Sequence, residues 1–212
     1  GEAEKSFVEL CNKLKNKENY TGIFNLWVKK DGQIYKNKLG NLIALDDIPY
    51  QDWEIFDKKR IYKPMSGTIG RTGCFELTRG CVYSCTFCIN EHLNKIHNHK
   101  NYREKSIPRY IDEVKYFKDK YGLEYIYILA EMFLPTTKQR IRDFSRLWKE
   151  KVGIPFWCEL RIEGIDEENA RLMEEAGCSS MTVGIECGNE EFRKRVIHRM
   201  MSNQEIIDSC KI

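Results

Sequence analysis

The chain has 212 residues, 42% of them hydrophobic, which is enough for one substantial core and a small appended piece. Its 35 Lys and Arg are nearly balanced by 32 Asp and Glu, so the formal net charge of +3 gives no electrostatic case for nucleic acid or an anionic membrane surface. No apolar run approaches the roughly 20 residues that span a bilayer, and the N-terminus lacks the order of a signal peptide, so no membrane partner and a cytoplasmic location are expected.

Nine cysteines in a non-secreted chain are a poor disulfide framework, and the number is odd. Metal binding is the leading use for the three that cluster. The sequence begins with Gly1 in place of Met and stops at Ile212 inside a segment that reads as a continuing helix, so a piece of a longer protein is expected.

In chain order, residues 4 to 16 place Phe7, Leu10, Cys11 and Leu14 at helical spacing, which predicts a short amphipathic helix with Cys11 on its core face. IFNLWVKKDGQIYKN (23 to 37) carries two β-prone runs around Asp31-Gly32, a hairpin signal. LDDIPYQDWEIFD (45 to 57) has no clean period and reads as a linker or wrapping segment ending near Met65.

From about residue 71 the pattern becomes regular. CFELT (74 to 78) is a short strand, directly followed by a cysteine loop; after a polar loop, Ser106 opens a helix carrying Ile107, Tyr110, Ile111, Val114 and Phe117, closed by Gly122. YIYILA (125 to 130) is an uninterrupted apolar strand, and Thr137 opens a helix with Ile141, Phe144 and Trp148 inward and Gly153 beyond its end. PFWCEL (155 to 160) is the third strand, Asp166 caps a helix ending at Gly177, and MTVGI (181 to 185) is the fourth. Asn189 starts another helical piece, and Ser202 with Glu205 forms a capping box for the last. Four strands alternating with helices predict an α/β fold with a parallel sheet, a barrel or half-barrel whose chemistry gathers at the C-terminal strand ends. Those ends carry the cysteine loop, Glu131, Arg161 and Glu186.

RGCVYSCTFC (79 to 88) holds three thiols, Cys81, Cys85 and Cys88. A structural zinc site is closed by four ligands, usually as two C-x-x-C pairs, and no second pair is present. Three thiolates on a four-iron cubane leave one iron without a protein ligand, where a substrate or cofactor can bind. A zinc site borrowing His92, an iron-sulfur electron carrier and a zinc-stabilised interaction module are the competing readings.

Cys81-x3-Cys85-x2-Cys88, just after a first strand and with Phe87 before the last cysteine, resembles the signature of the radical S-adenosylmethionine (radical SAM) enzymes. NYREKSIPRYIDEV is similar to that family's first-helix region, and the stretch from Arg161 to Glu205, particularly MTVGIECGNEEFRKRVIHRMMSNQEI, is similar to its third and fourth β/α units. GEAEKSFVEL, the hairpin and LDDIPYQDWEIFD resemble the end of a cobalamin-binding domain and its connection to the barrel, as in the B12-binding subgroup.

The resemblance implies a partial TIM-like barrel of about four β/α units, where the family has six, over residues 71–212. Residues 1–70 would be the remnant of a cobalamin-binding domain plus linker. It implies a [4Fe-4S] cluster held by Cys81, Cys85 and Cys88, and SAM bound through its methionine end at the open iron. An electron from the reduced cluster then breaks the C5′–sulfur bond and yields a 5′-deoxyadenosyl radical. Cobalamin is implied for the full-length protein, with its histidine motif upstream of Gly1, and so is an electron donor such as flavodoxin or ferredoxin. The substrate, small molecule or peptide, is left open, as are methyl transfer, ring formation and methylthiolation.

By position, the resemblance gives Phe87 to the adenine, Glu131 to the SAM amino group, Arg161 to the methionine carboxylate and Glu186 to the ribose hydroxyls. The family commonly has Gly-Gly-Glu where this chain has Ala130-Glu131-Met132. A structural ion pair of Arg161 with Glu159 or Glu163 competes with its SAM role. Cys74, Cys158, Cys178, Cys187 and Cys210 read mostly as core residues, with Cys187 notable for adjoining Glu186; His97 and His99 read as exposed loop residues. The acids at 166 to 168 and 190 to 191 read as first-turn residues favoured by the helix dipole.

Overall fold

The computed structural model describes residues 2–65, 67–98, 101–133 and 137–212, so His99 lies outside the described residues. The chain parts into two compact units, Gly1–Ile48 and Pro49–Ile212. Among the described residues no helix is long and apolar enough to cross a membrane.

The first unit holds helix α1 (Glu4–Lys15) and the hairpin of β1 (Trp27–Lys30) and β2 (Gln33–Lys36). Asp31 and Gly32 take φ of 50° and 76°, the paired left-handed conformation of a two-residue turn whose twist matches its strands. Asn37 Nδ2 donates to the carbonyls of Thr21 (2.7 Å) and Leu26 (2.8 Å), tying the hairpin's end to the segment before it. Helix α1 forms as its periodicity predicts, but its apolar face is open: Phe7 is 62% and Leu14 52% exposed. Cys11, expected in a core, is exposed too, because a 12-residue helix and a small hairpin give that face nothing to pack against.

The second unit begins with two short 3-10 turns, Trp53–Ile55 and Lys58–Ile61, capped by the carboxylates of Asp52 and Asp57. This is the aperiodic stretch, and it wraps: the Trp53 ring lies 4.5 Å from Phe117 and 5.4 Å from Phe75, centroid to centroid. There follow β3 (Tyr62–Met65), β4 (Thr68–Arg79), α2 (Ile89–Ile96), β5 (Arg103–Glu104), α3 (Ile107–Tyr121), β6 (Tyr125–Ala130) and α4 (Lys138–Leu147). After a π turn over Trp148–Val152 come β7 (Phe156–Leu160), α5 (Glu167–Ala176), β8 (Cys178–Val183), α6 (Glu190–Arg195) and α7 (Asn203–Ser209).

The sheet runs β3-β4-β6-β7-β8, with β4, β6, β7 and β8 parallel, β3 antiparallel on the β4 edge and β5 on the end of β4. This is the expected partial barrel of four β/α units. Its convex face packs Phe75, Ile126, Ile128, Phe156 and Cys158 against Val114 and Phe117 of α3, Phe144 of α4 and Met173 of α5 in one buried cluster.

The register puts Cys74, Tyr127, Trp157 and Ser180 in one row of the other face, and Glu76, Leu129, Glu159 and Thr182 in the next. That face is open: YIYILA, read as covered on both sides, alternates, with Leu129 exposed and Tyr125 and Tyr127 half-buried. Trp157 Nε1 donates to Thr182 Oγ1 (2.9 Å) and Tyr127 OH to Glu159 (3.2 Å), so the row is polar as well as aromatic. Burial pushes the Tyr127 phenol up to about 12, and the Glu159 carboxylate adds to it.

Candidate metal centre

The cysteine loop leaves the C-terminal end of β4 and runs into α2, and several anchors fix its course. Gly80 takes φ 82°, and a Cβ there would lie 2.4 Å from the Asn101 carbonyl oxygen, so only glycine fits this turn. Asn94, buried on α2, donates to the Cys81 carbonyl at 2.8 Å. The Cys88 N–H closes a turn on the Cys85 carbonyl at 3.0 Å. At the loop's middle, the Thr86 N–H bonds to Ile197 O (3.2 Å) and its hydroxyl to Val196 O (2.7 Å), pinning it to the segment that follows α6.

Each thiol has a polar or sulfur neighbour. Cys85 is buried and accepts from Arg161 Nη1 at 3.2 Å; Cys88 Sγ accepts from Asn90 Nδ2 at 3.7 Å; Cys81 Sγ lies 3.8 Å from Met132 Sδ. Burial pushes the Cys81 thiol up and the neighbouring Cys85 and Cys88 add to it, while the Tyr83 N–H and Arg161 oppose them. Hydrogen bonds into two of the three sulfurs are what electron-rich thiolates require, and the donor set fits an iron-sulfur cluster.

Among the described residues no three His, Cys, Asp or Glu side chains converge tightly enough to hold a single metal ion, and His92 is exposed. A cubane gives each thiolate an iron of its own, so its ligands need no such convergence.

Glu131, beyond the end of β6, is joined to this loop: Asn90 Nδ2 donates to its Oε2 at 2.5 Å, and Asn101 Nδ2 holds Asn90 Oδ1 at 3.2 Å. Arg161, beyond the end of β7, meets it as well. Its Nε and Nη2 fork onto Glu163 at 3.2 and 2.5 Å, its guanidinium carbon lies 3.7 Å from the Tyr83 ring centre, and its side chain is only 10% exposed. Burial opposes the charge on Arg161, but Glu163 and Cys85 outweigh it and raise its pKa; burial likewise opposes the Glu163 charge, and Arg161 prevails and lowers that pKa. Of the two ion pairs weighed for this arginine, the one with Glu163 forms.

Phe87 sits on the loop and is 61% exposed. Glu186, beyond β8, adopts φ 66° and accepts from Arg199 Nη1 at 2.6 Å; Arg199 is itself buried and also acts electrostatically on Glu163. Beside it, Cys187 gives its carbonyl to the buried Arg193 at 2.6 Å. Of the scattered cysteines, Cys158 is buried, Cys74, Cys178 and Cys187 are half-buried, and Cys210 is exposed, against its core reading, on the end of α7.

Sequence reasoning missed Tyr83, Asn90, Asn94, Thr86, Met132 and Arg199. Their partners lie elsewhere in the chain, and the one local signal was the run of amides on INEHLNKI, whose buried residues are Asn90 and Asn94.

The model of the Radical SAM superfamily matches residues 75–212. An uncharacterised methyltransferase of Pyrococcus horikoshii is 27% identical over 212 residues, 100% of this chain and 44% of the relative. Cytidylyl-2-hydroxyethylphosphonate methyltransferase of Streptomyces wedmorensis is 28% identical over 166 residues, 74% of this chain and 30% of the relative. Among solved structures, the cobalamin-dependent S-adenosylmethionine radical enzyme OxsB, with aqua-cobalamin bound, superposes with a TM-score of 0.71 at 21% identity, over 97% of this chain and 30% of that one. The radical S-adenosylmethionine methyltransferase TsrM from Kitasatospora setae, with cobalamin and a [4Fe-4S] cluster bound, gives 0.65 at 17% identity, over 98% and 42%.

The chain thus spans less than half the length of these relatives, and its likeness to OxsB and TsrM is one of fold. With a family match running from β4 to the last residue, and the three cysteines at the C-terminal edge of a parallel half-barrel, the chain belongs to the radical SAM superfamily.

Proposed function

We propose that this chain is the initiating part of a cobalamin-dependent radical SAM methyltransferase, with Cys81, Cys85 and Cys88 as the ligands of a 4Fe-4S cluster. The observation that carries the reading is the loop at the end of β4, which holds three thiols, two of them accepting N–H donors from Asn90 and Arg161. Methyl transfer is supported by the names of the relatives in Pyrococcus horikoshii and Streptomyces wedmorensis, and cobalamin by the titles of OxsB and TsrM. When bound, the cluster supplies the electron that cleaves the SAM sulfonium.

The chain's own residues bind and orient. Glu131, steadied by Asn90, is a carboxylate suited to the SAM ammonium. The exposed ring of Phe87 suits the adenine, and Glu186, oriented by Arg199, suits the ribose hydroxyls. The convex face, with its continuous apolar cluster, keeps water from behind the strands that bear these groups. The concave face, with Tyr127, Trp157 and Glu159, is the surface for a substrate; an electron donor of the flavodoxin or ferredoxin kind would reduce the cluster.

Residues 1–70 do not fit cobalamin by themselves: the described residues among them hold one α-helix, short 3-10 turns and two short antiparallel strand pairings, and the stretch has no histidine, so no residue here is assigned to it. As the remnant of a cobalamin domain plus linker, they leave that cofactor to another part of the protein.

Anaerobic reconstitution tests the reading. About four irons and four sulfides per chain, with an electron paramagnetic resonance spectrum that changes on adding SAM, are expected. A SAM-insensitive cluster would make the chain an electron carrier, and zinc without iron would make it a zinc-stabilised module.

A further inference from the structure

We propose that Arg161 is a positioning residue for the cluster and not a SAM ligand: held by Glu163 and Tyr83, it hydrogen-bonds Cys85 Sγ and keeps the cluster's reduction potential up. The inference rests on the cluster reading above. Its basis is the occupancy of the guanidinium. Nε and Nη2 point at the two Glu163 oxygens (3.2 and 2.5 Å), Nη1 points at Cys85 Sγ (3.2 Å), and one face of the plane is covered by the Tyr83 ring (3.7 Å).

Each guanidinium nitrogen already has a partner, the Nε–Nη2 edge being filled by Glu163, and the side chain is nine-tenths buried, so a SAM carboxylate gripped by this arginine would compete with the ion pair or with the bond to sulfur. Each partner has a part. Tyr83 belongs to the cysteine loop, between Cys81 and Cys85, while Glu163 follows β7, so the arginine locks the loop to a strand end.

Reduction adds negative charge to the cluster and its thiolate sulfurs. An N–H donor and a positive charge beside one sulfur stabilise the reduced state more than the oxidised one, which raises the potential; the Glu163 carboxylate works in the opposite sense. The two residues are therefore expected to shift the potential in opposite directions when each is neutralised, a pattern that loss of packing alone does not produce.

The test is a redox titration followed by electron paramagnetic resonance on the reconstituted full chain without SAM, with iron content and SAM affinity measured in parallel. Arg161→Gln should lower the midpoint potential and leave SAM affinity as in wild type, Glu163→Gln should raise the potential, and Arg161→Lys, which keeps the charge without the fork, should fall between wild type and Arg161→Gln. Wild-type potentials in both neutral variants overturn the proposal. So does an Arg161→Gln chain that keeps its potential and loses SAM, which would restore the carboxylate role. If Arg161→Gln loses its iron, the sign in Glu163→Gln decides, and an unchanged or lowered value overturns the inference. A wild-type chain that takes up no cluster at all removes the proposed function, and this inference with it.

Discussion

Gly80 is the residue on which the geometry of the cysteine loop turns, since its φ of 82° sends the chain off the end of β4 and its missing Cβ admits the Asn101 carbonyl. Gly80→Ala should cost about 1–3 kcal/mol of strain and lower iron retention, read by denaturant melts and iron analysis. Glu131→Ala acts differently. It removes the acceptor offered to SAM without touching a thiol, so SAM affinity should fall with iron content unchanged; unchanged affinity would take Glu131 out of the site. At this scale the sequence showed the three cysteines because a single stretch of ten residues encodes them. It did not show Asn90 or Tyr83, since what those side chains do depends on Glu131, 41 residues further on, and on Arg161.

Elements with an apolar stripe were readable for the same physical reason that they form. Helix α3 and helix α5 follow their periodicity, and α5 starts where Asp166 Oδ1 accepts the Asn169 N–H at 2.8 Å. Asp166→Ala should cost about 1 kcal/mol, measured as a shift in denaturant midpoint at neutral pH. The Asn169 N–H, helped by Lys138, holds the Asp166 carboxyl below the ordinary aspartate range. Its contribution is therefore present above a pH of about 4 and lost as pH falls through its depressed value, so wild type and Asp166→Ala should converge in stability in strong acid.

Helix α2 escaped notice because its buried side chains are amides, and β3 and β5 are too short to show a period. A second pin at this scale is Lys105, between β5 and α3, which is buried against Glu113 at 2.6 Å with Arg109 at 3.3 Å from the same oxygen. Lys105→Met should destabilise by about 3–5 kcal/mol, seen in the same melts, because it strips the main partner from a buried carboxylate.

The whole molecule joins a small unit with an open helix face to a larger one that has its own core. Residues 49–212 made alone should melt cooperatively and load as much iron as the full chain, checked by calorimetry and iron analysis; failure to fold would show that the first 48 residues complete the core. The α/β order and the four parallel strands could be read from alternation alone. The open concave face could not, because an apolar run such as YIYILA looks the same whether one side or both are covered, and the answer depends on what lies across the barrel.

The bonds from Thr86 to Val196 and Ile197 close over 110 residues or more, so the cysteine loop is held in its final shape only once the segment that follows α6 has left the ribosome. A nascent chain stalled before α6 would therefore be a poor acceptor for any scaffold that delivers preformed clusters.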